Sequence, residues 1–215
     1  MFPALIEFPD WIPLIGGAAL HTYGLLVAAG FFAGMVWVKH ESIRVGLNPQ
    51  KLMDLFFYIV LVAIIASRVF YVLASVPRWW DDPLVFFRFW EGGLVFYGGL
   101  IGAVTVSVWY TRKHKIPFLK VADIFTPGVA LGHVFGRVGC FFAGCCYGRE
   151  TPAGFPFSVI FPQTKYSIAP HGHPLYPTQL MEAAGELAIF FFLFFFRKRK
   201  KFEGEVFLLY IILYP

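Results

Sequence analysis

Charge is what this sequence has little of. Lys, Arg, Asp and Glu make up 14% of its 215 residues, against about a quarter in soluble domains. Hydrophobic residues make up 58% and aromatics 20%. That balance excludes an ordinary soluble domain and points to an integral membrane protein. An early basic cluster is also missing: the stretch from Met1 to Trp11 carries Glu7 and Asp10 instead. A cleavable signal peptide of the usual pattern is therefore not expected, and the first helix is expected to act as its own insertion signal. There is no internal repeat. The net charge of +5 is not spread over a nucleic-acid-binding face. Twelve of the eighteen Lys and Arg fall in Lys39 to Lys51, Arg112 to Lys120 and Arg197 to Lys201. These are the loops after the first, third and fifth apolar segments. The positive-inside rule puts them in the cytoplasm and the N-terminus outside. No nucleic-acid partner is expected. Anionic lipid headgroups remain available to these loops.

What is present is a series of apolar runs. The fold class they predict is an all-α integral membrane protein, a single membrane domain over residues 1–215. It forms a multi-span helical bundle with five full spans and part of a sixth. The spans are predicted at 12–38, 52–76, 93–110, 121–143, 177–196 and 205–215. Gly30 and Gly34 in the first span are spaced for close helix packing. The loop from Arg78 to Gly92 carries Trp79, Trp80 and Trp90, suited to an interfacial aromatic belt. Residues 144–176 are less apolar and form a small outside head segment. The last segment would reach only about 16 Å of the roughly 30 Å of a bilayer core. The expectation is therefore that the sequence is truncated within a sixth helix.

The fourth span holds the residues with most chemical promise. Gly128, Gly132 and Gly136 recur every four residues and form a smooth ridge, most simply for helix packing. His133, Arg137 and Cys140 share a face at i, i+4, i+7. A charge within a membrane costs roughly 3 kcal/mol on insertion scales, so Arg137 marks a candidate site. It is suited either to a structural ion pair with Glu182 or to a phosphodiester held by two parallel hydrogen bonds. Arg68 with Tyr71, Tyr97 with Gly98, Gly99 and Gly102, and Gln179 with Glu182 and Glu186 are all predicted at the outer ends of their spans. Arg68, Tyr97, Arg137, Gln179 and Glu182 would then gather at one depth and receive an anionic headgroup. His21 and Tyr23 lie in the outer half of the first span. Cys140, Cys145 and Cys146 leave several readings open: simple packing, a disulfide from Cys140 to one of the others, catalytic thiols, or zinc binding with His171 or His173. Cys-x4-Cys-Cys is not a regular zinc spacing, and no metal site is expected.

Four blocks, in this order on these spans, resemble bacterial prolipoprotein diacylglyceryl transferase. They are His21-Thr22-Tyr23-Gly24, Tyr97-Gly98-Gly99-Leu100-Ile101-Gly102, Gly136-Arg137-Val138-Gly139 and Pro177-Thr178-Gln179-Leu180-Met181-Glu182. The resemblance runs from about Phe8 to the end. It implies an enzyme of lipoprotein biosynthesis, a multi-pass transferase of the bacterial cytoplasmic (inner) membrane. The diacylglyceryl group of phosphatidylglycerol would pass to the lipobox cysteine thiol of a prolipoprotein signal peptide. A thioether forms and glycerol 1-phosphate leaves, with no cofactor.

Carried over by position, Arg137 resembles the family's phosphate-holding arginine, and Tyr23, Asp123, Gly148 and Glu182 match further family positions. Catalytic roles are expected for Arg137, Tyr97, Tyr23 and Glu182 from these matches, and for His133 from its place one turn from Arg137. Lipid contacts are expected for Arg137, Gly98, Gly99, Gly136, Gly139, Gln179 and Gly148 within or beside the family motifs, and for Arg68 from its depth at the outer end of its span. This chain departs from the family's usual His at Tyr97, its Asn at Cys140 and its Glu at Cys145. Tyrosine, with an ordinary pKa near 10, is a poorer base, so His133 is the candidate substitute. A second family arginine falls beyond Pro215. Two alternatives stand beside the transferase: a membrane thiol oxidoreductase and a non-catalytic lipid- or lipoprotein-binding paralogue.

Overall fold

The computed structural model describes residues 3–7, 19–89, 92–152, 154–164 and 167–214. It is mostly helical. Among the described residues the elements are β1 (Ala4–Glu7), β2 (Ala19–His21), α1 (Thr22–Arg44), α2 (Pro49–Ser75), α3 (Phe96–Lys113), α4 (Phe118–Ala143), α5 (Thr178–Phe196) and α6 (Glu205–Leu213). Helices α1, α2, α4 and α5 are long and apolar enough to cross a membrane. Their flanks leave large apolar side chains exposed, among them Phe32, Phe57, Leu61 and Phe195. Hydrocarbon is the solvent that such surfaces match.

The described contacts group into two compact units, Met1–Trp37 with Asp123–Pro215 and Val38–Ala122. One feature departs from the predicted spans. The first helix starts at Thr22 and runs to Arg44, not over 12–38. Residues 12–18 and Trp90 lie outside the described residues. Ala19–His21 is extended, pairing antiparallel with β1 through Ala4↔His21, Ile6↔Leu20 and Glu7↔Ala19. An Ala-Leu-His triplet reads the same in hydropathy whether it is strand or helix. Its partner strand, on the far side of residues 8–18, decides the matter.

In the unit Val38–Ala122, α2 begins at an Asn48 cap whose Oδ1 accepts from Gln50 N at 2.9 Å, with Pro49 at the first helical position. Both are strong helix-start signals. Gly98, Gly99 and Gly102 bring α3 onto α2. A Cβ at Gly98 would lie 2.7 Å from Phe70 Cβ, and one at Gly102 would lie 2.7 Å from Ala66 Cβ. Any larger residue would push the two helices apart.

In the other unit, Ala130, Leu193, Val206 and Tyr210 form one core where α4, α5 and α6 meet. Asp123 fixes the start of α6. Its buried carboxylate accepts from Lys200 Nζ and Gly204 N, each at 2.8 Å, and from Phe207 N at 3.0 Å. A carboxylate at a helix N-terminus satisfies donors that the helix leaves open. Arg197 lies over Trp37 and Phe194 at 4.7 and 4.2 Å from their ring centres, and Trp37 Nε1 donates to Ile124 O at 2.9 Å. Between α4 and α5, Phe161, Ala169 and Leu175 form a small separate core. Val159 and Leu175 exchange two backbone hydrogen bonds above it, at 3.0 and 2.9 Å.

Candidate functional site

Arg137 and Glu182 face each other from α4 and α5, with Nη2 and Oε2 2.5 Å apart. The arginine side chain is 30% exposed and the carboxylate 45%. One carboxylate oxygen cannot satisfy the five N–H donors of a guanidinium. Tyr214 is a second hydrogen-bond partner of the guanidinium, and with both partners in place the pair stays part-exposed.

One helical turn back, His133 Nδ1 lies 3.0 Å from Glu186 Oε1 and 2.8 Å from the Tyr210 hydroxyl. The same hydroxyl donates to Glu186 Oε1 at 3.3 Å. Glu186 is 3% exposed. A carboxylate so enclosed needs donors, and His133 Nδ1–H and the Tyr210 hydroxyl supply two. With Nδ1–H turned to the carboxylate, Nε2 becomes the ring's acceptor, a tautomer assigned from the network. Tyr214 lies against the His133 ring at 5.2 Å and stacks on Tyr210 at 5.6 Å.

Glycine has two different roles on α4. At Gly139 a Cβ would lie 3.1 Å from the Tyr23 ring, so the missing side chain lets half-exposed Tyr23 lie against the helix. Gly132 Cα would be 3.5 Å from a Cβ on Gly30, yet a Cβ added to Gly132 itself, or to Gly136, meets nothing within 4 Å. The predicted packing ridge therefore holds at Gly128, which abuts Trp37, and gives way to open space at Gly136, immediately before Arg137.

Other predicted site residues have structural partners. Gln179 is fully buried, and its Nε2 donates to Cys145 O at 2.7 Å. Gly148 lies so close to Tyr176 that a Cβ would come within 2.9 Å of the carbonyl oxygen. In the unit Val38–Ala122, Arg68 is 1% exposed. It donates through Nη1 to Gly92 O and through Nη2 to Val85 O at 2.7 Å. Gly92 and Gly93 have φ of 76° and 75°, and a Cβ at Gly93 would overlap the Tyr71 ring. Arg68 thus closes the loop before α3 by its backbone. In the same unit Tyr97 is exposed in the first turn of α3, and Gly98 and Gly99 are buried against α2.

The sequence reading missed the partners of His133. Glu186 was visible as a carboxylate one turn after Glu182, and an intramembrane carboxylate calls for a donor. Tyr210 lay in what read as an incomplete span.

Cys140, Cys145 and Cys146 are free thiols whose Sγ atoms all lie within 4.8 Å of one another. Burial, reinforced by the neighbouring Cys140 and Cys146, pushes the Cys145 thiol up to about 12.

The fold and these groups define a polytopic membrane protein with an arginine–carboxylate site and a histidine–carboxylate pair on adjoining turns. The model of the prolipoprotein diacylglyceryl transferase family matches residues 9–215. The phosphatidylglycerol–prolipoprotein diacylglyceryl transferase 2 of Clostridium perfringens (strain 13 / Type A) is 32% identical over 200 residues, 93% of this chain and 77% of that protein. The transferase of Cronobacter sakazakii is 32% identical over 231 residues, covering 97% and 79%. That of Paracidovorax citrulli is 33% identical over 215 residues, covering 94% and 78%. The chain belongs to the prolipoprotein diacylglyceryl transferase family.

Proposed function

We propose that this protein moves the diacylglyceryl group of phosphatidylglycerol onto the lipobox cysteine thiol of a prolipoprotein, in the bacterial cytoplasmic membrane with its N-terminus outside. The carrying observation is the open Arg137–Glu182 pair, one turn from a His133 whose Nδ1 is held by Glu186. Arg137 grips the lipid phosphate through N–H groups that Glu182 and Tyr214 leave available, and Glu182 fixes the plane of the guanidinium. The open side of α4 at Gly136 gives the headgroup room. His133 Nε2 takes the proton of the attacking thiol, and Glu186 stabilises the imidazolium that results. The sulfur bonds to the terminal glycerol carbon of the diacylglyceryl group as that carbon's bond to the phosphate oxygen breaks. The electron pair leaves with glycerol 1-phosphate, whose developing charge Arg137 offsets. Tyr23, on α1 and resting on Gly139 of α4, is a candidate hydrogen-bond donor, and in the unit Val38–Ala122 Tyr97 is another at the exposed start of α3. Gln179, Gly148, Gly98 and Gly99 serve by holding backbone in place, and Arg68 by closing its loop. The reaction requires no cofactor.

The test is direct. Protein reconstituted with phosphatidylglycerol is incubated with a lipobox peptide, and the peptide mass is measured. A thioether-linked diacylglyceryl adduct is expected. Its absence with folded protein contradicts the proposal.

A further inference from the structure

We propose that Cys140, Cys145 and Cys146 form a three-sulfur binding site for a thiophilic d10 cation, Zn2+ or Cu+. The inference is independent of the transferase reading and concerns residues that the reaction above does not use.

The backbone brings the thiols together. Helix α4 ends at Ala143 and the chain reverses at once. Gly144 has φ of 68°, Gly144 N donates to Phe141 O at 3.3 Å, and Cys145 N donates to Cys140 O at 3.1 Å. Cys146 then takes φ of 57°, a left-handed conformation uncommon for a residue with a side chain. A Cβ at Gly144 would overlap Ser167 Oγ, so no bulkier residue fits this corner. The effect is to return Cys145 and Cys146 to the level of Cys140, with all three Sγ atoms within 4.8 Å of one another.

The loop is also held from outside. The first turn of α5 reaches it twice: Gln179 Nε2 donates to Cys145 O at 2.7 Å and Thr178 Oγ1 donates to Cys146 O at 3.0 Å. Backbone carbonyls fixed on both cysteines limit how far their thiols can drift.

The geometry suits a metal. With zinc–sulfur bonds of about 2.3 Å, thiolates around one ion stand about 4 Å apart. Closing these thiols onto an ion needs shifts of about an ångström or less, within reach of χ1 adjustments. Three thiolates leave one position for water on Zn2+, or complete a trigonal shell for Cu+, and soft sulfur ligands favour both ions over Mg2+ or Ca2+. His171 and His173, the nitrogen ligands weighed from the sequence, are not part of this cluster: His173 Nδ1 pairs with Glu150 at 2.7 Å. A bound ion would clamp the end of α4, one turn beyond Arg137, to the loop that α5 holds.

The experiment uses reduced, detergent-solubilised protein and the metals alone, Zn2+ in one arm and Cu+ in the other. Each is added against a chromophoric chelator, followed by metal-to-protein stoichiometry after gel filtration and a count of thiols open to maleimide. One equivalent of at least one cation is expected, with protection of all three thiols and sulfur scatterers at about 2.3 Å in X-ray absorption. Cys146→Ser changes an exposed position and should keep the fold. It should weaken binding by roughly 100-fold or more, since even outer-shell substitutions cost about 10- to 100-fold. Replacing all three cysteines with Ser should abolish uptake. No saturable binding of either ion overturns the site, as does uptake unchanged in the triple variant. Loss of two thiols to a disulfide without metal uptake overturns it too. Because uptake is read without turnover, its failure leaves the transferase proposal standing.

Discussion

Arg68 and Arg137 are the same residue type on apolar helices, put to opposite uses. Arg68 is enclosed, and its guanidinium is turned to the backbone carbonyls of Val85 and Gly92. Arg137 is part-exposed and shares one edge with Glu182. The first arrangement holds a loop in place by its backbone. The second pairs the guanidinium with Glu182 and Tyr214 and leaves it part-exposed, the feature on which its proposed anion-binding role rests. The partners of an intramembrane arginine, more than its presence, separate a structural from a functional charge.

Substitutions test this contrast most sharply at Arg68. Arg68→Ala strands two loop carbonyls, each costing about 1–3 kcal/mol when unsatisfied. A stability loss on the order of 4 kcal/mol is expected in denaturant titration, with activity lost only as far as the fold is. Arg137→Lys should do the reverse. It keeps the charge but not the fork that meets a phosphate with two hydrogen bonds. Transfer should fall by roughly 100-fold, about the effect of one donor to a developing anion, while stability changes by less than about 1 kcal/mol because the pair is exposed. His133→Ala should lower transfer by about 100-fold, the low end of general-base contributions. Glu186→Gln should lower it by about tenfold, since Nδ1 keeps an acceptor but the imidazolium loses its charge partner. Equal effects of these two on stability and none on transfer would return the pair to a structural role. The smallest effect concerns the cysteines. The Cys145 thiol, pushed up to about 12, stays protonated at neutral pH, so exposed Cys146 should react with maleimide well before it. Thiol mapping by mass spectrometry reads the order.

Much of this was legible in the sequence because hydropathy is a local property. The apolar runs mark the helices, and Gly-Arg-Val-Gly with Gln-Leu-Met-Glu marks the two helices that carry the ion pair. Properties that depend on distant partners were not legible. That Arg68 would hold the carbonyls of Gly92 and Val85 could not be read from its position in the span. Gln179 reads as a polar site residue until Cys145 offers its carbonyl. Asp123, a residue near the end of a span, is a cap for α6 some eighty residues later. His133 and Glu186 are 53 residues apart, a distance that no spacing rule covers. The β1–β2 pairing escaped for the same reason.

Arg137, on the proposed function, anchors the lipid phosphate for transfer. The most direct measurement compares folded wild-type and Arg137→Ala protein in phosphatidylglycerol vesicles, counting diacylglyceryl-modified lipobox peptide by mass spectrometry. Steady product is expected from the wild type and a drop of roughly 100- to 1,000-fold in the variant. Equal rates in the two proteins would contradict it.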